Sequence, residues 1–206
     1  MRYGEAESIG YEVSMDAPDK QQTRNAEQTK ARILAAAQDA FAEMGYGQAG
    51  IRHIAMQAGI DAALVQRYFK SKARLYEAAL LDAMSDFPAM DLSHSRFGER
   101  LTGKLIETFF DLRPLSMIVL SFADPEAQEI SLRVMREKAI RPLVDWLGPP
   151  DAETRAVRMM MLTTSFMIYT RQLPLMTPDE ATGTQTSDWL ALQLQQIIDE
   201  SEGNVR

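Results

Sequence analysis

Cysteine is absent from the 206 residues. That removes disulfides, zinc–thiolate sites and thiol nucleophiles together. Histidine is scarce: His53 and His94 lie far apart with no acidic cluster beside either, so no metal set is expected. Long apolar runs are missing as well. The most continuous, Leu115 to Ala123 and Met159 to Tyr169, fall well short of the ~20 residues that a membrane span needs. The N-terminus has no apolar stretch of signal-peptide type, and the simplest reading is a soluble cytoplasmic protein with no membrane partner. No nucleophile–base pair, phosphate loop or metal set marks the chain as an enzyme, and no cofactor is expected.

What is present is core-forming material and an uneven charge. Hydrophobic residues make up 46%, enough for a sizeable interior. The net charge of −7 argues at first against an anionic partner. Its distribution reverses that. Lys20 to Arg74 carries nine basic and four acidic side chains, which leaves −12 for the rest of the chain. A basic module on an acidic body suits phosphate, although clustering on a solvated helix face would produce the same count.

The periodicity is helical throughout, with no period-two alternation and no internal repeat, so the class is all-α with about nine helices. Residues 1–26 mix Gly, Ser, Pro, Asp, Glu and Gln and are expected to form a flexible tail. Ile33, Leu34, Ala37, Phe41 and Met44 then recur at helical spacing until Gly45, a stop signal. Short helices follow over Ile51 to Ala58, after Gly50, and over Ala62 to Phe69, after the N-cap Asp61. A fourth begins after Ser71. The stretch from Phe87-Pro88 to Ser95 reads as a hinge separating a head, 27–87, from a body, 88–206. The body is expected to hold helices at about 96–112, 115–122, 125–147, 152–173 and 185–200, with Pro142 disturbing the third of these near Lys138.

The chemistry lies in residues 50–69. Gly59 supplies the left-handed backbone of a tight turn between two short helices. Ala55 is small where those helices cross, and Ile54, Ile60 and Val65 point inward. That leaves Asp61, Ala62, Ala63, Gln66, Arg67 and Lys70 on the outer surface of the second helix, the arrangement of a helix-turn-helix. The run Thr29-Lys30-Ala31-Arg32-Ile33-Leu34 with Ala37, Phe41 and Gly45-Tyr46, then Ile51-Arg52-His53-Ile54-Ala55 with Ala58-Gly59-Ile60, then Leu64 through Lys72 with Leu75, resembles the DNA-binding domain of TetR-family transcriptional regulators. It departs from the family at Ala49 and Gly50, where Thr or Ser is usual, at Ala63 for Gly and at Gln66 for Tyr.

The resemblance implies a sequence-specific regulator of double-stranded operator DNA, a repressor released by a small molecule; a DNA-binding regulator without a small-molecule ligand is the alternative. It implies phosphate contact at Lys72, where the first N–H groups of a helix favour anions. Gln66 and Arg67 would read base edges, supported by Ala62 and Lys70 on the same helix. Arg52 would meet the backbone or merely be solvated, and Tyr68 would pack or offer its hydroxyl.

In the body, the helix from Ala152 is apolar on two sides, which requires burial on both. One stripe is expected to face the core. The other, with Val157, Met161, Thr164 and Ile168, is expected to meet a second copy together with Leu190, Leu194 and Ile197 of the last helix. The resemblance agrees, implying a homodimer built from the last two long helices. Thirteen Met residues suit either an ordinary core or an adaptable pocket. Phe109, Met117, Phe122, Met135, Trp146, Phe166 and Tyr169 are the residues expected to line a site for a small apolar effector.

Overall fold

A computed structural model describes residues 20–85, 93–107, 111–181 and 184–200, which contain helices and connections and no strand. Residues 1–19 of the expected tail and most of the expected hinge lie outside them. The last part of that tail is helical. Helix α1 runs Lys20–Gln48, because no Gly or Pro interrupts a run of good helix formers upstream of Ile33. Residues 23–32 are mostly exposed, and burial begins at Ile33. Gly45 breaks the helical backbone at φ 73, as the sequence implies.

Three short helices complete the head: α2 Ile51–Gln57, α3 Ala62–Phe69 and α4 Lys72–Ala83. Their caps are local. Asp61 accepts from the N–H of Ala63 at 2.7 Å, and Ser71 accepts from that of Arg74 at 3.1 Å. Gly59 takes φ 63, and a Cβ there would lie 2.9 Å from Nη2 of Arg32. Arg32 needs that space, since it donates to the carbonyls of Ala58 and Gly59 and so satisfies the end of α2 from α1.

The body consists of α5 Phe97–Ile106, α6 Arg113–Leu120 with a 3₁₀ turn at Ser121–Ala123, α7 Pro125–Met135, α8 Arg141–Leu147, α9 Ala152–Met167, a short α10 Pro178–Ala181 and α11 Gln185–Asp199. Between α7 and α8 the backbone widens into a π-helical turn, Arg136–Ile140. Pro142 has no N–H to return to the Lys138 carbonyl, and the wider turn accommodates its ring. A second π turn, Ile168–Gln172, extends α9. Helix α5 stops at Ile106, short of the expected 112, and Glu107 is already extended. Arg171 donates to the carbonyls of Leu105, Ile106 and Glu107, so it caps α5 rather than complementing its own helix.

Two cores result, and they do not divide at the expected hinge. One joins Ile33, Phe41, Ile54, Val65 and Leu75 of the head to Met117, Ile130 and Val134 of α6 and α7. The other packs α5, α8, α9 and α11 through Phe97, Leu143, Met159, Phe166 and Leu194. Helices α5 and α11 cross so closely that a Cβ on Gly98 would fall 1.9 Å from the Ala191 carbonyl oxygen. Arg155, 1% exposed, donates to the carbonyls of Leu147 (3.1 Å), Pro150 (2.9 Å), Ile197 (3.3 Å) and Gly148, tying the end of α8 to the end of α11. None of the described helices is long and apolar enough to cross a membrane.

Candidate nucleic-acid interface and cavity

Helix α3 has a sharply divided surface. Val65 and Phe69 are buried against the head core, whereas Ala63, Gln66, Arg67 and Lys70 are exposed and Ala62 and Tyr68 half-buried. This follows from a short helix resting on one stripe of its surface. The Arg67 guanidinium lies 6.0 Å from the centre of the Tyr68 ring, so the two side chains lean together on the outer face. Arg52 is exposed on α2 and His53 half-buried. Lys70 closes α3 at φ 65, and Ser71 at once caps α4, so that Lys70 and Lys72 flank the junction of the two helices.

Lys72 behaves differently from a freely solvated lysine. Its ammonium donates to the Gly47 carbonyl at 3.3 Å and sits 4.6 Å from the centre of the Tyr46 ring. The cation therefore reaches across to the end of α1. The Tyr46 hydroxyl donates to Glu126 at the start of α7 at 2.5 Å, while that of Tyr76 bonds the Met117 carbonyl at 3.0 Å and Ser131 Oγ at 2.8 Å. Phe41, Tyr46 and Tyr76 pack together with ring centres 5.0–6.0 Å apart. Burial pushes both phenols above the usual tyrosine range, and the Glu126 carboxylate pushes Tyr46 further. Through these contacts the edge bearing Lys72 is continuous with α6 and α7.

A cavity of about 690 Å³ lies where the head meets the body. Gln38 of α1 and Asp82 and Met84 at the end of α4 form one side; Leu105, Leu115 and Met159 are among the body residues on the other. Of the expected lining residues, Met135 is there. Met117 is instead buried in the head–α6–α7 core, and Phe166 in the second core. Trp146 is half-buried against Phe97 and His94, with ring centres 4.7 and 4.6 Å away. Phe122 and Tyr169 are exposed on the outside, and Phe109 lies outside the described residues. Five methionines, Met84, Met135, Met159, Met160 and Met167, are among the lining residues, in keeping with the adaptable pocket that the methionine content suits, although of these only Met135 was singled out by position.

That helix presents Val157 and Met161 outward, Met161 being 63% exposed, and Ile168 is half-buried. Thr164 borders the cavity. Leu190, Leu194 and Ile197 do not face outward: they are buried in the subunit's own core, because α5 approaches that side of α11 at Gly98. The apolar residues that α11 exposes are Trp189 and Leu192, at 52% and 56%.

Residues 33–79 match the model of bacterial regulatory proteins of the tetR family, and residues 95–198 that of the tetracyclin repressor-like C-terminal domain. Among solved structures, the chain is similar to a transcriptional regulator from Rhodococcus sp. Rha1 (22% identity, 84% of this chain and 97% of that one, TM-score 0.60). It is similar to Salmonella enterica GusR (21%, 84% and 96%, 0.63). It is also similar to NalD of Pseudomonas aeruginosa, the secondary repressor of the MexAB-OprM multidrug efflux pump (16%, 85% and 97%, 0.53). At these identities the likeness is one of fold. No curated protein sequence matches. The two family models together cover the helix-turn-helix face and the helical body behind it, and the chain belongs to the TetR family of DNA-binding transcriptional regulators.

Proposed function

We propose that the chain is a homodimeric repressor that grips operator DNA through α3 and the start of α4, and releases it when a small molecule enters the cavity between head and body. The observation that carries this reading is the cavity's position. Gln38 belongs to α1 and Asp82 to α4, helices of the head, whereas Leu105, Leu115 and Met159 belong to the body. An occupant therefore touches both. Two recognition helices in a dimer must match half-sites about 34–36 Å apart, so a modest tilt of each head defeats simultaneous docking. The occupant acts only to the extent that it binds the tilted arrangement more tightly.

Within the head, Gln66 and Arg67 are assigned to base edges. Lys70, Lys72 and Arg52 are assigned to phosphates, with the Tyr68 hydroxyl beside them. Val157 and Met161 of α9, with Trp189 and Leu192 of α11, make the apolar seam with the second copy. Exposed side chains of this size on two adjacent helices are otherwise unfavourable in water. NalD is a repressor, and the same sign of regulation is assigned here.

The test is binding of the purified protein to DNA fragments that it selects from its own genome, followed by fluorescence anisotropy while small molecules are titrated in. Expected are a preferred two-fold symmetric site and loss of anisotropy with an effector. Binding without sequence preference would remove the reading. Sequence-specific binding that no cavity-filling compound relieves would favour the ligand-free regulator. Met161→Glu should give monomers by light scattering; a tight dimer would move the seam elsewhere.

A further inference from the structure

The polar groups at the cavity are unequal in sign. Three carboxylates, Asp39, Asp82 and Asp111, stand at or beside its mouth with one guanidinium, Arg113. Arg113 is bridged between two of them. Its Nε and Nη2 donate to Asp111 at 2.8–3.1 Å, and its Nη1 donates to Asp39 at 3.2 Å. One N–H on each Nη stays outside these bonds, but the single positive charge is already outweighed by the two carboxylates it joins. The pairing also holds the Asp111 carboxyl below the usual range.

Asp82 has no ion-pair partner among the described residues. It accepts from Gln38 Nε2 at 2.8 Å, and the same nitrogen donates to the Ala79 carbonyl at 3.2 Å. Gln38 lines the cavity and is only 3% exposed. With both amide hydrogens engaged, it has only the acceptor Oε1 to give a ligand. An exposed carboxylate without a cation and the amide oxygen of Gln38 thus lie beside walls of methionine and leucine. A quaternary ammonium has no N–H to give either acceptor, so these groups favour an ammonium that keeps its hydrogens.

We propose that the cavity's ligand is an apolar molecule bearing an ammonium with N–H bonds, received by Asp82 and Gln38 Oε1 while its hydrocarbon lies among the methionines. The assignment of this ligand as effector rests on the proposed function above; the charge preference of the cavity does not.

The experiment is calorimetric titration of the full chain, and of Asp82→Asn, with decylamine, decan-1-ol, decanoate and decyltrimethylammonium below their micellar concentrations. Anisotropy of bound operator DNA is read in parallel. Decylamine is expected to bind saturably and about tenfold or more tighter than decan-1-ol, the scale of a charge-assisted hydrogen bond. Decanoate should be weakest and the quaternary ion should fall near the alcohol. Asp82→Asn should bring the amine to the alcohol's affinity and leave the alcohol unchanged. Equal or tighter binding of decan-1-ol or decanoate, no saturable binding of decylamine, or an amine affinity untouched by Asp82→Asn overturns the proposal. DNA release by decanoate alone overturns it while leaving the effector reading intact. Asp82-dependent amine binding without DNA release supports the cation site and removes its effector role.

Discussion

The two cores differ in how far their helix ends depend on buried cations. In the head with α6 and α7, helix starts are capped by residues close by in sequence, Asp61 for α3, Ser71 for α4 and Asp124 for α7, and one exposed arginine, Arg32, reaches the end of α2. In the core of α5, α8, α9 and α11, Thr184 and Ser187 cap the start of α11 locally, but the buried Arg155 ties the ends of α8 and α11 together and Arg171 reaches the end of α5. A buried cation shared between helix ends makes those helices share one another's stability. The cavity lies between the two cores.

The largest expected effect tests the second core. Gly98→Ala would drive a methyl into the Ala191 carbonyl and force α5 from α11. The expected cost is about 3 kcal/mol or more, read by urea unfolding. An unchanged midpoint would mean that the crossing is loose. Arg155→Met should cost about 2–3 kcal/mol by stranding buried carbonyls. Hydrogen exchange in α3 should change little, and a matching loss of protection there would show that the two cores unfold as one.

On the DNA side, Arg67→Ala should cost about 1–3 kcal/mol on the preferred operator and relax one position in each half-site. Lys72→Ala should weaken all sequences alike and lower the salt slope by roughly one unit. If Arg67→Ala instead behaves like Lys72→Ala, base reading passes to Gln66. Binding isotherms at several salt concentrations on matched and mismatched operators distinguish these outcomes.

The smallest effect is at the seam between head and body. Tyr46→Phe should cost about 1 kcal/mol for the lost bond to Glu126. The folded protein holds the Tyr46 and Tyr76 phenols above their ordinary pKa. Their contribution is therefore complete below about pH 10, and it is lost as the pH rises through the raised values. Alkaline unfolding of Tyr46→Phe should shift less steeply in that range than that of the parent. Identical profiles would exclude Tyr46 as a contributor.

Much of the head was legible because its signals act within a few residues. Gly59 and Asp61 bracket the turn, and the buried Val65 and Phe69 leave Gln66, Arg67 and Lys70 exposed by helical geometry alone. Pro142 foretold a disturbance near Lys138 for the same reason, a missing N–H four residues on. The direction of the Lys72 side chain was not legible, since its acceptor Gly47 sits on another helix.

Periodicity and turn signals in the sequence by themselves determined an all-helical chain, most helix positions in it, the turn at Gly59 and the exposed face of α3. Only the tertiary structure decided which apolar stripe meets what. Leu190, Leu194 and Ile197 turned inward because α5 takes that side of α11, and Trp189 and Leu192 were left outside. The residues lining the cavity were not legible in advance because its walls are drawn from α1 and from α4 through α9 at once. A helical stripe records that a face must leave water; the element that covers it is chosen by packing among residues far apart in the chain.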